Sequence, residues 1–415
     1  MSTLDRREPK GQMEPLTEAA RSRAARNANV AAIMTFAAFL GLGFALPFLP
    51  LFVQELGVQD PVDAAQWAGV LIGVGPLLAG LLAPFWGGLA DRHGYKRIAL
   101  LALTAIGLAQ VVASLAQSPM HVMVSRVLSG LFGGVGPLGL AMASGSSHKG
   151  GGASKAIGKI QAAQILAAGF GPLLGGTLAS YLGIRAAFWG ASISCLFAAA
   201  VVAVFYSDEG PSSPAPRTDA APLPVALPAA FFAALVFVVF FVNFASRSFT
   251  PILPAQLGSF GVPHASLAMS TGILISVYSI AAAVSSFGFG RLAAAIDPVR
   301  LIGLSLLLSL FAAIAMAHVS TFGAFLGVAL VYGLVSGGGL TLGYSIGSRR
   351  FPDASRGASF GRLSGAALIG GAIAPAIAAF VARSALEDVY WMNALIYAAL
   401  IAASFSFLRG PASRA

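Results

Sequence analysis

Charge in this chain is confined to the gaps between long apolar runs, and Gly and Pro fall inside those runs. Crossing a hydrocarbon core of about 30 Å takes roughly 20 helical residues, so the runs read as membrane-spanning helices, which tolerate Gly and Pro better than soluble helices do. With 57% hydrophobic and 10% charged residues over 415 positions, and a mean hydropathy of +0.83, the chain is far more apolar than a soluble domain, where about 25% charged is usual. Breaking it at the polar gaps gives twelve spans, near 28–52, 66–90, 96–116, 120–146, 155–180, 184–206, 227–251, 266–291, 299–319, 321–347, 357–381 and 388–408. Residues 1–27 form a polar tail with no signal-peptide pattern. Cys195 is the single cysteine and excludes an intramolecular disulfide.

Placing the N-terminus inside puts all but four of the 25 Lys and Arg residues on the inner side, the exceptions being Arg126, Arg185, Arg247 and Arg383. The positive-inside rule then sets both termini in the cytoplasm, and the net charge of +10 needs no nucleic-acid partner. A short Pro- and Ala-rich linker at 207–226 separates residues 28–206 from 227–408, and 409–415 form a C-terminal tail.

The second half repeats the first at an offset of about 203 residues: Leu89 matches Leu292, Ala90 matches Ala293, Arg97 matches Arg300, Gly158 matches Gly361 and Pro172 matches Pro375. Pro47-Phe48-Leu49-Pro50 recurs as Pro251-Ile252-Leu253-Pro254, shifted by one. A constant offset means a duplicated unit, and duplicated halves in a membrane chain point to a transporter. The reading is an all-α polytopic membrane protein of twelve transmembrane helices in two pseudo-symmetric six-helix bundles.

Three motifs sharpen it. Gly87-Gly88-Leu89-Ala90-Asp91-Arg92-His93-Gly94-Tyr95-Lys96-Arg97 resembles the loop two to three signature of the major facilitator superfamily. Arg126-Val127-Leu128-Ser129-Gly130 resembles that superfamily's Arg-x-x-x-Gly motif, and Gly171-Pro172-Leu173-Leu174-Gly175-Gly176 the Gly-Pro-x-x-Gly-Gly motif of its drug exporters. The stretches Leu46–Val53 and Pro84–Asp91 look most like the MdtG-type multidrug exporters and their tetracycline-exporter relatives.

Physical chemistry gives each motif a task. Gly87 and Gly88 allow close backbone approach, Gly94 permits a tight turn, and Asp91 can accept from Arg92 or a facing helix N-terminus, with Lys96 and Arg97 alongside. The resemblance makes this turn a latch holding the outward-facing state; a generic turn whose basic residues set topology is the simpler reading, but topology does not need Asp91. Ala294 stands where the second half would need its aspartate. Arg126 lies inside a span, where an arginine costs about 2.5–3.5 kcal/mol on insertion scales, so it should face a polar partner or a wet cavity, or snorkel to the interface. The resemblance implies a part in proton coupling. Gly171, Pro172, Gly175 and Gly176 put small residues on a face of span five that could pack against a helix of the other half, and the resemblance implies export; Ala167 replaces the preceding expected glycine.

None of the 15 acidic residues falls mid-membrane. A cationic-drug exporter often carries an embedded carboxylate, so this chain is expected to favour neutral, amphipathic or anionic substrates, with Arg126 and Arg247 making the cavity basic or neutral. Headgroup anchoring is the alternative for Arg247. Gln161, Gln164, Asn243, Tyr278, Tyr332, Tyr344 and Asn393 are polar or amphipathic groups within spans and candidates for the cavity wall. The five histidines show no metal spacing, and no cofactor is expected. An enzyme would need a nucleophile, metal or acid pair at depth, and none is visible. The expectation is a monomeric, proton-coupled exporter in a bacterial inner membrane, whose partners are protons, the bilayer and a small-molecule substrate. A dedicated exporter of a native metabolite such as a siderophore or sugar, or an importer of the same fold, stays open.

Overall fold

The computed structural model describes residues 18–145, 152–208, 229–351 and 356–404, all of them in helices and short connections. The C-terminal tail and nearly all of the linker expected at 207–226 lie outside the described residues. So does the N-terminal tail up to residue 17; residues 18–27 are the start of a helix rather than part of a tail.

The first set of helices is α1 (Glu18–Ala45), α2 (Leu49–Glu55), α3 (Pro61–His93), α4 (Tyr95–Ser114), α5 (Pro119–Leu131), α6 (Val135–Gly145), α7 (Gly152–Leu182) and α8 (Ile184–Phe205). The second is α9 (Ala229–Ser248), α10 (Leu253–Ser259), α11 (His264–Ala295), α12 (Pro298–His318), α13 (Phe322–Ser336), α14 (Gly339–Arg350), α15 (Arg356–Val381) and α16 (Asp388–Ala403). Among the described residues 11 stretches are long and apolar enough to cross a membrane, and α16 is apolar but shorter. The chain is an all-α polytopic membrane protein.

Four of the expected spans are broken, and each break has a local cause. Between α1 and α2 a 3-10 turn at Leu46–Phe48 carries Pro47, and Pro50 opens α2. Between α9 and α10 the same device recurs at Thr250–Ile252 with Pro251 and Pro254. Proline lacks the amide that would continue the helix, yet suits its first turn. The breaks between α5 and α6 and between α13 and α14 are made by glycine instead. A Cβ on Gly134 would lie 3.2 Å from the Trp86 Cβ, and one on Gly338 would lie 2.6 Å from Phe289 Cγ. The aromatic residue therefore seats in the break, and Trp86 Nε1 donates to the Leu131 carbonyl at 2.6 Å, satisfying an acceptor that the end of α5 leaves open.

Within the first set α1 packs on α7 and α8, α4 on α8 and α5, and α3 on α5. Within the second, α9 packs on α15, α11 on α13, and α12 on α13 and α16. The broadest contacts between the sets are α7 with α11 and α3 with α15. The duplication is visible at atomic contacts. A Cβ on Gly130 would fall 2.8 Å from the Gly75 carbonyl and 2.9 Å from Leu78 Cβ; one on Gly333 would fall 2.6 Å from the Tyr278 carbonyl and 2.8 Å from Ala281 Cβ. Gly333, Tyr278 and Ala281 are the copies of Gly130, Gly75 and Leu78 at the sequence offset.

These glycines let α5 and α13 lie against the backbones of α3 and α11. Replacing Gly130 or Gly333 with leucine should therefore lower stability by about 1–3 kcal/mol through overpacking, read as a lower thermal midpoint in detergent. Gly87→Leu, at a position with no neighbour within 4 Å, should leave the midpoint unchanged.

Candidate gating and translocation site

One end of the molecule carries Glu55, Asp60, Asp63, Glu387 and Asp388, and the other carries Arg92, Lys96, Arg97, Arg291, Arg300, Arg349 and Arg350. The two sets meet at the acidic end. A Cβ on Gly69 of α3 would be 3.0 Å from Ala376 Cα and 2.5 Å from the Pro375 carbonyl of α15, and Gly73 meets the Ala372 carbonyl one turn on. Gly272 of α11 lies against the Pro172 carbonyl of α7, its Cβ position 3.3 Å from Gly176 Cα, and a Cβ on Gly176 would be 2.8 Å from the Ala268 carbonyl. Gly272 and Pro375 are the offset copies of Gly69 and Pro172, so the two closures are one contact made twice.

Toward the basic end the helices part. Gly80 of α3 still has Leu368 at 3.9 Å, but Gly87 and Gly88 on α3 and Gly361 and Gly365 on α15 have nothing within 4 Å. Phe85 and Phe287 are 61% and 63% exposed on these diverging stretches. The structure is closed at the acidic end and open at the basic one.

The Gly-Pro motif serves two partners. Gly171 lies against Gly43, with a Cβ position 2.9 Å from the Gly43 Cα, and Gly175 lies against Phe44, both on α1 of the same set. Only Pro172 and Gly176 face the other set, so the expectation that the whole motif packs across the interface is corrected. The reason is the helical period: positions 171 and 175 share one face, and 172 and 176 the next. Ala167, where glycine was expected, is fully buried.

The charged turn is folded onto its own set. Gly94 takes φ 90°, in the region that favours glycine, and a Cβ there would also lie 2.8 Å from Asp208 Oδ2. Asp91 accepts from the Tyr95 hydroxyl at 2.5 Å, rather than from Arg92 or a facing helix N-terminus. Gly87 and Gly88 meet no neighbouring helix, because the sets have separated at this level. Asp208, read from sequence as linker, accepts from the Lys96 amide at 3.1 Å and so occupies the positive end of α4. Lys96 Nζ donates to the Tyr206 carbonyl at 2.8 Å, and Asn27 Nδ2 donates to the Ser207 carbonyl at 2.9 Å. The turn is thus pinned to the segment that follows α8, which Asn27 of α1 holds in turn. Asp208→Ala should remove an acceptor worth about 0.5–2 kcal/mol and speed amide exchange at residues 94–97, while exchange in α12 stays as it was.

Arg126 is 2% exposed and does not snorkel. Its Nε donates to the Leu71 carbonyl of α3 at 3.3 Å, and a Cβ on Gly75 would crowd its guanidinium at 3.1 Å. Gly130, one turn along, brings α5 close enough for that reach. In the second set the sizes are exchanged: Ala329 stands at the copy of Arg126 and Tyr278 at the copy of Gly75.

The cavity candidates divide. Tyr332 is 1% exposed, with its hydroxyl 2.7 Å from that of Tyr397, and Tyr278 packs its ring against Phe249 and Tyr332. Both belong to the core of the second set and not to a cavity wall, since each finds apolar contact and a polar partner there. Asn393 likewise is buried and exchanges hydrogen bonds with Ser248. Gln161 is exposed on α7, and Gln164 and Tyr344 are half-buried, the latter 3.4 Å from Ser364 Oγ. Asn243 donates to the Ala367 carbonyl of α15 at 2.5 Å, and the stem of Arg247 lies 3.5 Å from a Cβ position on Gly371. Arg247 is exposed, carries no hydrogen bond or ion pair among the described residues, and sits just on the basic side of the contact between Gly73 and Ala372. Among the described residues no group of His, Cys, Asp and Glu could hold a metal. Sequence reading missed Tyr95, which fills a variable position of the charged-turn motif, and Gln66, Ser180, Asp208 and Arg383, which stand in no motif; the offset between Ser180 and Arg383 was the available signal.

A polytopic helical protein of duplicated design, with a cleft between its copies shut at one end, has the build of a membrane transporter. The chain matches the Major Facilitator Superfamily over residues 31–269 and again over 235–415, and it belongs to that family. It is 34% identical over 298 residues to the multidrug resistance protein MdtG of Proteus mirabilis (strain HI4320), covering 70% of this chain and 73% of that protein. It is 29% identical over 301 residues to MdtG of Salmonella typhi, covering 71% and 74%. Similar solved structures include a bacterial homologue of the human lysosomal transporter Spinster, at TM-score 0.76 and 16% identity, covering 94% of this chain and 97% of that one. The human organic anion transporter MFSD10 has TM-score 0.65 and 18% identity, covering 92% and 99%. The protein is a secondary transporter of this fold.

Proposed function

We propose that this protein is a proton-coupled exporter of small amphipathic molecules, related to the MdtG-type and tetracycline-exporter-like multidrug group. The observation that carries the reading is the twice-made contact at the acidic end with the cleft open at the basic end. If the basic end is cytoplasmic, as the positive-inside rule requires, this is the loading state of an exporter. Two six-helix halves, residues 28–206 and 227–408, rock about the central cleft in a bacterial inner membrane with both termini in the cytoplasm. The protein acts as a monomer, without cofactor and without enzymatic chemistry. The names of the MdtG relatives support multidrug export.

The charged turn then works as a released latch. Asp91, Arg92, Lys96 and Arg97 stand at the open end, and Asp91 and Lys96 exchange their present partners, the Tyr95 hydroxyl and the Tyr206 carbonyl, for the other half when the cleft closes there. Arg126 couples protonation to movement, because a buried cation inside a span depends on its polar neighbours, among them the Leu71 carbonyl. Substrates that are neutral, amphipathic or anionic suit a cleft with an exposed Arg247 and no membrane-embedded carboxylate. Ala167 keeps an importer of the same fold as the second reading, since it adds a buried methyl where exporters of this type carry glycine.

In inside-out vesicles, acidifying the lumen should drive uptake of an amphipathic probe, and Asp91→Asn should slow that uptake at least about tenfold. Uptake only on lumen alkalinisation would point to the importer. Arg247→Ala should weaken an anionic probe by about 1.5–3 kcal/mol, the worth of a hydrogen bond to a charged group, and leave its neutral ester unchanged.

A further inference from the structure

The acidic end is held by more than close packing. Arg383, just past α15, donates through its Nη2 to Gln66 Oε1 of α3 at 2.6 Å, with its guanidinium 5.2 Å from the Phe380 ring centroid. On the other side of the closure the Met269 amide of α11 donates to Ser180 Oγ of α7 at 3.1 Å. Arg383 is the offset copy of Ser180, and Met269 is the offset copy of Gln66. The two ties are therefore one position pair inherited twice and filled with different chemistry. Each stands one helical turn beyond a glycine contact of the closure, Gln66 before Gly69 and Met269 before Gly272.

We propose that Gln66, Ser180 and Arg383 are the gate residues of the acidic end, and that the two ties are unequal, so that the gate parts first between α7 and α11. The α3–α15 tie is charge-assisted, spans two side chains and has its cation seated on an aromatic ring. The α7–α11 tie is a neutral hydrogen bond that can be exchanged for water as the helices separate. The α3–α15 tie is exposed at Arg383 and the α7–α11 tie is part-buried, and each is a single contact, so each shifts the balance between closed and open by a few-fold rather than deciding it alone. The inherited pairing also explains why neither residue is part of a motif: the closure is set by the glycines, and the ties are free to differ between the copies. This inference rests on the alternating-access reading for what opening accomplishes, but the gate itself is defined at the acidic end alone.

The test uses the full chain in nanodiscs, with Cys195→Ser and spin labels placed at exposed positions across each side of the closure. One pair is Asp63 with Ser384, across α3 and the end of α15; the other is Tyr181 with His264, across α7 and α11. A third pair across the basic end reports closure there. Gln66→Leu and Arg383→Gln should each raise the long-distance population of the first pair by about three-fold or more. Ser180→Ala should raise that of the second pair by less than two-fold, about the smaller effect expected of a neutral tie. In the unsubstituted protein the second pair should show the larger open fraction. Unchanged distributions in Gln66→Leu and Arg383→Gln, with normal thermal midpoints, would overturn the gate assignment. A larger open fraction for the first pair than the second in the unsubstituted protein would overturn the order of parting. Opening of the acidic end without a matching approach at the basic end would support the gate and count against alternating access.

Discussion

The two sets of helices meet backbone on backbone, with Gly69 against Pro375 and Gly272 against Pro172. Everything above it follows from glycine having no side chain at those two places. With a methyl at either one, α3 could not lie on α15, nor α11 on α7, and the acidic end could not shut without shifting a helix. Proline contributes from the other side. Its missing amide leaves a carbonyl one turn earlier without its usual donor, which loosens the helix locally and allows the bend that brings its own carbonyl forward. In a bilayer, where tails offer no hydrophobic drive between helices, such small-residue contacts are a principal means of association.

Duplication supplies the second of each contact at no further cost in sequence invention, and its departures from symmetry mark where the copies have taken on different work. The first copy keeps Asp91, the second has Ala294. The first fills the space between α3 and α5 with Arg126 over Gly75; the second fills the matching space with Tyr278 beside Ala329, and builds a hydroxyl pair from Tyr332 and Tyr397 behind it. The first interior thus centres on a buried guanidinium donating to the Leu71 carbonyl, the second on packed tyrosines.

Much of the architecture was legible in the sequence because the bilayer imposes it: long apolar runs become helices, and charge collects in the turns. The repeat offset was legible to the level of single contacts, as Gly130 with Gly75 and Gly333 with Tyr278 show. The breaks in four spans were only half legible. Pro47, Pro50, Pro251 and Pro254 announce theirs, but Gly133-Gly134 and Gly337-Gly338 act by admitting Trp86 and Phe289, a tertiary event that no local pattern records. The site was less legible still. Asp91 meets Tyr95 four residues on, across the turn itself, whereas Asp208 caps α4 because chain segments far apart in sequence converge at one end. Tyr332 looked like a cavity residue because an aromatic hydroxyl in a span reads the same whether it faces a cleft or a buried partner.

The central claim is that this closure at the acidic end is one state of a cycle, held by contacts that must separate for transport. Cysteines replacing Ser180 and Met269, which are joined across it by the Met269 amide and the Ser180 hydroxyl, test that most directly in a Cys195→Ser background. In native membranes without added ligand, mild oxidation should cross-link α7 to α11 nearly completely, abolish transport in vesicles and leave probe binding from the basic side intact, with reductant restoring turnover. Transport that continues at full rate through a verified cross-link would contradict the account.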